Sequence, residues 1–228
     1  MIAYASDEDI ALRASADFAA LCPRDQALAS GVDGAFAAAD PWTLASASVD
    51  FAALGLTPGL VVRLGKPTSA FGPGGELFAV GAVATGRITL RRKGQAAGVG
   101  QPPSPPAGLT GVEFSIRTLG PQIALAGYDL DRRFGIDDSI AGSRSVDLYD
   151  PRQLREAVVL TVLARQYLDQ ARQFASPSDA PQDWYSAKAR IIQAELDDVL
   201  DRLALKWRAF DLADQRSATT RFSSRLSR

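Results

Sequence analysis

The sequence contains no histidine. Imidazole is the general base of Ser-His-Asp and Cys-His sites and the commonest protein ligand of transition metals. Its absence excludes these schemes, and with them much of ordinary hydrolase and metal chemistry. An enzyme built on this chain would have to use paired carboxylates, lysine or a bound cofactor. We therefore expect no enzymatic activity and predict no metal and no cofactor, with a histidine-free enzyme as the minority hypothesis.

Cysteine, long apolar runs and excess charge are also scarce. The single cysteine, Cys22, cannot form an intrachain disulfide and is predicted to be a small apolar core residue. No apolar run approaches the ~20 residues that cross a bilayer, and the acidic N-terminus lacks the basic start of a signal peptide. The formal net charge of -1 shows no basic excess typical of nucleic-acid binding. We expect a soluble, cytosol-made protein with no membrane partner.

What the chain does contain is 46% hydrophobic residues over 228 positions, enough to bury a core in one or two domains. The strongest pattern lies in the C-terminal half. Asp150-Pro151 predicts a helix start, and apolar residues then recur at steps of three and four. Prolines at 177 and 181 interrupt the pattern, which resumes from about Asp183 to Phe210. Two long helices joined by a short break should pack antiparallel.

The N-terminal 42 residues are also predicted to be helical. Ser6 and Asp9 resemble a capping box, and Pro23 should end the first helix. The following alanine-rich stretch, 24–39, is helix-prone, although Gly31 and Gly34 interrupt it.

After Trp42, glycine, proline and β-branched residues replace the helical period. Strands are predicted at 60–64, 77–84, 87–92 and 112–118, and together they indicate a small β module, either a barrel or a sandwich. Gly120-Pro121 then opens another helix. The predicted fold class is α+β, a helical core with a long antiparallel C-terminal helix pair and an inserted small β module. The predicted segments are 1–42 helical, 43–119 β insertion with a Pro/Gly-rich arm at 94–108, 120–212 helical, and 213–228 a basic tail.

Four carboxylates lie within ten residues, which suggests a calcium site or an acid pair; they are Asp129, Asp131, Asp137 and Asp138. The spacing fails for calcium, because a loop starting at Asp129 would place Arg133 and Ile140 at ligand positions. We interpret the group as solvated helix-end carboxylates paired with Arg132 and Arg133. If the chain were an enzyme, Asp129, Asp131 or Asp137 would be its carboxylates.

Three further charged groups are candidates for contacts with partners. Asp197, Asp198 and Asp201 lie on the polar side of the last helix, as a solvated face, an inter-subunit face or, less favoured, a catalytic cluster. The second group lies at the end of a predicted strand and consists of Arg91, Arg92 and Lys93. It is either an exposed basic hairpin tip or a contact with a neighbouring subunit or with DNA. The C-terminal tail has three alternative interpretations: a solvated tail, an arm that docks on a partner, or a segment that contacts phosphates. Its arginines and apolar anchors are Arg216, Arg221, Phe222, Arg225, Leu226 and Arg228.

The order of these segments resembles that of the head-tail connector (adaptor) proteins of tailed bacteriophages and gene-transfer particles. The resemblance rests on residues 112–119 (VEFSIRTL), residues 129–137 (DLDRRFGID) and the long helical pair with its protruding tail. The segments are diffuse, without a short signature motif. The β insertion is larger than in a minimal adaptor.

The resemblance implies a structural virion protein, made in the host cytoplasm and located in the neck between capsid and tail. It implies a homo-oligomeric ring, typically of twelve copies, beneath the portal protein and above downstream neck or tail proteins, with DNA passing through. The C-terminal tail would dock on the portal or a neighbouring subunit. Asp197, Asp198 and Asp201 would line the DNA channel or an inter-subunit face, and Arg91, Arg92 and Lys93 would contact a subunit or the capsid. The alternative is another tail or baseplate structural protein.

Overall fold

The computed structural model describes residues 3–95, 104–140, 142–173 and 180–207. The described part contains six α-helices, six β-strands and short 3-10 turns. The helices are α1 Asp7–Arg13, α2 Phe18–Leu21, α3 Thr68–Phe71, α4 Gly120–Phe134, α5 Arg155–Gln173 and α6 Ala180–Arg202. The strands are β1 Ala27–Ala37, β2 Asp40–Ala45, β3 Val61–Lys66, β4 Glu76–Ala84, β5 Arg87–Arg91 and β6 Val112–Arg117.

The strands form a closed antiparallel barrel in the order β1-β2-β5-β4-β3-β6. Its register places Val62 opposite Phe78 on one side and opposite Ile116 on the other. Alternate side chains point inward and fill the interior. This barrel core includes Phe36, Leu44, Phe51, Leu64, Phe78, Ile88, Leu90, Val112 and Phe114. The barrel is thus a packed unit with a hydrophobic core of its own.

The sequence predicted a helix over the alanine-rich stretch 24–39, and this prediction is wrong because Ala27–Ala37 form strand β1. β1 pairs with both β2 and β6, so it closes the barrel. A Cβ on Gly31 would lie 2.6 Å from a ring carbon of Phe114, and a Cβ on Gly34 would lie 2.8 Å from the Val112 carbonyl oxygen. Only glycine allows β1 to approach β6 this closely. Pairing with distant strands therefore overrides the local helical propensity of alanine.

The helices form a second lobe around α5. Every residue from Ala157 to Ala164 is buried, because α1, α2, α4 and α6 all contact α5. α6 turns Ala189 and Leu196 inward. Cys22 belongs to this core and is 3% exposed, which confirms its predicted core position. The two lobes meet where α1 and the start of α4 adjoin the barrel.

The predicted fold class, a helical core with a long antiparallel C-terminal helix pair and an inserted β module, is wrong. The barrel occupies 27–117 with its own core, so it is not a module placed at 43–119 within a helical domain. α6 ends at Arg202 rather than near residue 210. The chain then turns back: Lys206 N–H donates to Gln153 Oε1 at 2.8 Å, and its carbonyl accepts from Tyr149 N–H at 2.9 Å. These bonds replace further helical turns.

Phe114→Ala tests the packing of the barrel core. Phe114 is 1% exposed, and its ring centroid lies 5.6 Å from that of Phe51. Truncation should leave a cavity and lower the free energy of unfolding by about 3–5 kcal/mol. Denaturant unfolding followed by tryptophan fluorescence measures this change. Val32→Ala is the control, since Val32 is 72% exposed and its loss should cost less than about 0.5 kcal/mol; equal losses in the two variants would contradict the barrel packing.

The thiol of Cys22 should be inert in the folded protein. Burial raises the pKa of this thiol to about 12. Only the thiolate form is nucleophilic enough to react with a disulfide reagent. We expect an aromatic disulfide reagent to label none of the native protein at pH 8 and one thiol per chain in denaturant. Rapid labelling of the native protein would show that Cys22 is accessible.

Candidate functional site

The junction between the lobes is built on two buried carboxylates in the first turn of α1. Asp7 and Glu8 are only 3% and 6% exposed. Asp7 accepts hydrogen bonds from the Leu119 N–H and the Thr118 hydroxyl, both at 2.7 Å. Burial raises the pKa of Asp7, whereas these two hydrogen bonds lower it. Asp7 therefore ties α1 to the segment that connects β6 to α4.

Glu8 ties the same helix to the other side of the barrel. It forms an ion pair with Arg91 at the end of β5, and it accepts the Gly94 N–H at 2.8 Å. The Glu8 N–H donates to the Gly59 carbonyl at 2.9 Å. Because α1 also packs against α5, these bonds link the barrel to the helical core.

The three basic residues at 91–93 are engaged within the chain, and they do not form the exposed hairpin tip that the sequence suggested. Arg91 and Arg92 side chains are each 19% exposed. Arg92 pairs with Glu76 and lies 4.5 Å from the Phe78 ring centroid. Lys93 binds the Ser15 hydroxyl, and its burial lowers its pKa. A contact of this segment with a neighbouring subunit or the capsid stays a prediction.

The four clustered carboxylates are separated into structural contacts. Asp129 pairs with Arg165 of α5 at 2.7 Å, and Asp131 accepts the Tyr4 hydroxyl at 2.6 Å. Arg165, not Arg132 or Arg133, is thus the arginine partner in this group. Asp137 accepts from Ser139 and Asp138 from Ser145, and these bonds lower the pKa of both carboxyls. Within the described ranges, no group of three or more acidic or cysteine side chains could hold a metal ion.

Asp197, Asp198 and Asp201 lie on the exposed side of α6. Asp197 accepts from Gln193 Nε2 at 2.9 Å, and Asp198 pairs with Arg202 one turn later. These contacts are local to one helix, so they leave the whole face open to solvent. These contacts do not test whether Asp197, Asp198 and Asp201 line a DNA channel or an inter-subunit face, so that role stays a prediction.

Two predicted segments lie outside the described residues. One is the part of the Pro/Gly-rich arm from 96 to 103. The other is the C-terminal tail, with its residues Arg216, Arg221, Phe222, Arg225, Leu226 and Arg228.

A cluster that the sequence reasoning missed fixes the start of α6. Lys188 Nζ lies 2.6 Å from Asp17 Oδ2 and 4.0 Å from the Trp184 ring centroid. The Tyr167 hydroxyl donates to the same Asp17 oxygen at 2.6 Å. The cluster joins three helical segments distant in sequence. The only local signal was the i,i+4 spacing of Trp184 and Lys188.

A cavity of about 430 Å³ lies where the N-terminal segment, the loop 57–60 and α4 meet. Its walls are mainly apolar, and Asp7 is the only acidic residue among the described residues that line it. Both Asp7 oxygens already accept hydrogen bonds from Thr118 and Leu119.

Large apolar side chains on the surface are concentrated in the helical lobe. Val32 and Leu54 are the two that belong to the barrel segment. The others among the described residues are 42–70% exposed, and they are Leu12, Leu125, Tyr128, Ile140, Val146, Tyr149, Leu168, Trp184 and Ile191. Exposed apolar side chains that adjoin one another are often covered in an assembly. The helical lobe is therefore the candidate functional surface.

Arg91→Met tests the junction between the lobes. The substitution keeps much of the side-chain volume but leaves the buried Glu8 carboxylate without its cation, so the free energy of unfolding should fall by about 3–5 kcal/mol. Chemical denaturation measures it. Arg152→Met is the matched control: Arg152 is 76% exposed in its pair with Asp150, and this variant should lose far less stability than Arg91→Met. Equal effects would mean that the Glu8–Arg91 pair does not hold the lobes together.

Comparison with known proteins does not identify the chain. No family model, no curated protein and no solved structure matches it. None of the described helices is both long enough and apolar enough to span a membrane. Its function therefore has to be inferred from its own residues and contacts.

Proposed function

We propose that this chain is a structural protein of a virion neck, a head-tail connector that forms a ring beneath the portal and joins capsid to tail while DNA passes through. The observation that carries the proposal is the concentration of exposed apolar side chains on the helical lobe. Tyr149 and Ile191, for example, are 70% and 66% exposed. A ring subunit needs such surfaces because each copy buries them against its neighbours.

The junction between the lobes also suits a ring wall. Asp7 and Glu8 join α1 to the barrel, and Asp9 pairs with Arg155 at the start of α5. The chain thus connects barrel and helices through buried or half-buried polar contacts as well as through apolar packing. A subunit built this way can transmit force between the proteins above and below it.

The charges are compatible with a passage for DNA. The net charge of -1 provides no basic excess that would trap the phosphate backbone. Three basic residues of a kind that binds phosphate, Arg91, Arg92 and Lys93, are engaged in contacts within the chain. Weak attraction is what a channel for moving DNA requires.

The C-terminal tail is proposed as the arm that docks on the portal. The support is its sequence, which combines cations for acidic partners with two apolar anchors. The residues of this arm are Arg216, Arg221, Phe222, Arg225, Leu226 and Arg228.

The test is the particle mass of the purified chain, alone and mixed with the portal protein, by light scattering coupled to size exclusion and then by particle imaging. We expect a closed ring with a mass twelve times that of the 24.2 kDa chain, either free or assembled on the portal. A monomer that ignores portal rings would overturn the proposal. A ring of another symmetry that ignores the portal would also overturn it, and would favour a tail or baseplate component.

A further inference from the structure

The outer face of α4 carries an apolar stripe that ends in a positive charge. Pro121, Leu125, Tyr128 and Arg132 follow one another at steps of four, three and four residues, so they line one side of the helix. All four are exposed, Leu125 to 54% and Tyr128 to 47%. Ile123, Ala126 and Leu130 face the opposite way, into the helical core. We call the exposed row the α4 stripe.

The outer face of α6 carries a row with the same steps that ends in a negative charge. Ala187, Ile191, Ala194 and Asp198 are all exposed, Ile191 to 66%. Ala189 and Leu196, on the other side of the helix, are buried against the helical core. We call this row the α6 stripe. A helix with a buried face and a second apolar row is typical of one that packs on two sides.

The two stripes complement each other when the helices lie parallel. The equal steps place Leu125 beside Ile191, Tyr128 beside the small Ala194, and Arg132 beside Asp198. Arg132 lies 5.9 Å from the Tyr128 ring centroid, and among the described residues it forms no ion pair. Among the described residues, Asp198 pairs with Arg202 of its own helix, and both side chains are exposed, so this pair is weak. Opposite charges therefore remain available at the matching ends of the two rows.

The antiparallel arrangement is less favourable. It would place Arg132 beside Ala187 and Asp198 beside Pro121, so neither charge would meet an opposite side chain. Within one molecule both stripes face solvent, on the sides of α4 and α6 opposite their buried residues. No described residue of the same molecule covers either stripe, and a second copy of the chain brings the complementary row.

We propose that the α4 stripe of one copy packs in parallel on the α6 stripe of a second copy of this chain. The contact is heterologous, since two different faces meet, and its repetition produces a ring or a filament. The step from pairwise contact to a closed ring rests on the proposed function. A contact along one helix is small beside the ~800 Å² per partner of a typical stable interface, so an isolated pair should be weak and ring closure should strengthen it.

Engineered disulfides in the full-length chain test the contact. Leu125→Cys is mixed with Ile191→Cys under mild oxidation at high protein concentration. Cys22 is buried and should not interfere. We expect a covalent dimer from the mixture and none from either variant alone, and a ladder of multimers from a chain carrying both substitutions. Leu125→Cys mixed with Val32→Cys is the control, because Val32 is equally accessible but lies on the barrel.

Charge reversal gives a second readout. Arg132→Asp in the Leu125→Cys chain should slow cross-linking about fivefold, roughly the effect of one exposed ion pair at the upper end of its range. Adding Asp198→Arg to the Ile191→Cys chain should restore the rate, because the two reversed charges then attract. A loss that is not restored would contradict the Arg132–Asp198 pairing.

The remaining outcomes separate this contact from the proposed function. Cross-linking no faster than in the Val32→Cys control would overturn the contact, as would covalent dimers from Ile191→Cys alone, which indicate two α6 helices packed about a twofold axis. Faster cross-linking of Leu125→Cys with Ala194→Cys would overturn the parallel orientation. If a ring assembles on the portal without these cross-links, the contact is wrong and the connector function stands. If the cross-links form but the chain ignores the portal, the contact stands and the connector function is wrong.

Discussion

The structure depends on two carboxylates that are buried where α1 meets the barrel. Asp7 and Glu8 would each be costly to remove from water without partners, because a buried charge loses its hydration. Their oxygens bind Leu119 N–H, the Thr118 hydroxyl, Gly94 N–H and the Arg91 guanidinium. These donors come from the end of β5, from the residues that follow it, and from the connection between β6 and α4. The cost of burying the acids is thus offset only when α1, β5 and the β6–α4 connection lie together, so the acids specify how the lobes join.

The same constraint decides which charges remain for other molecules. Arg91, Arg92 and Lys93 look like a free basic segment in the sequence, but they are bound to Glu8, Glu76 and Ser15. Exposed charges lie on both lobes, and on the helical lobe Arg132 and Asp198 end two apolar rows. A function in assembly is proposed from that surface. The ring and the portal contact remain proposals that rest on the resemblance and on these exposed faces.

Local signals in the sequence predicted several elements and failed at others for a common reason. The capping box at Ser6 and Asp9 is present, and the Ser6 N–H donates to Asp9 Oδ2 at 2.8 Å. Asp150 accepts the Arg152 N–H at 2.9 Å at the predicted helix start. The error at β1 arose because alanine favours a helix locally, while the strand is stabilised by β2 and β6, which lie elsewhere in the chain. The error at the end of α6 has a similar origin, because the Gln153 side chain forms hydrogen bonds with both the N–H and the carbonyl of Lys206.

By itself, the sequence determined what is local or compositional: the absence of histidine, the caps at Ser6 and Asp150, the strand that became β6, and the core position of Cys22. Each depends on neighbouring residues or on residue type alone. Only the tertiary structure decided that the β segment closes into a barrel, that Asp7 and Glu8 join the lobes, and that Asp129 pairs with Arg165. These depend on contacts between residues far apart in sequence, whose pairing no local period records. The α4 and α6 stripes depend on both the sequence and the fold, since the spacing of their residues is visible in the sequence but their exposure is visible only in the structure.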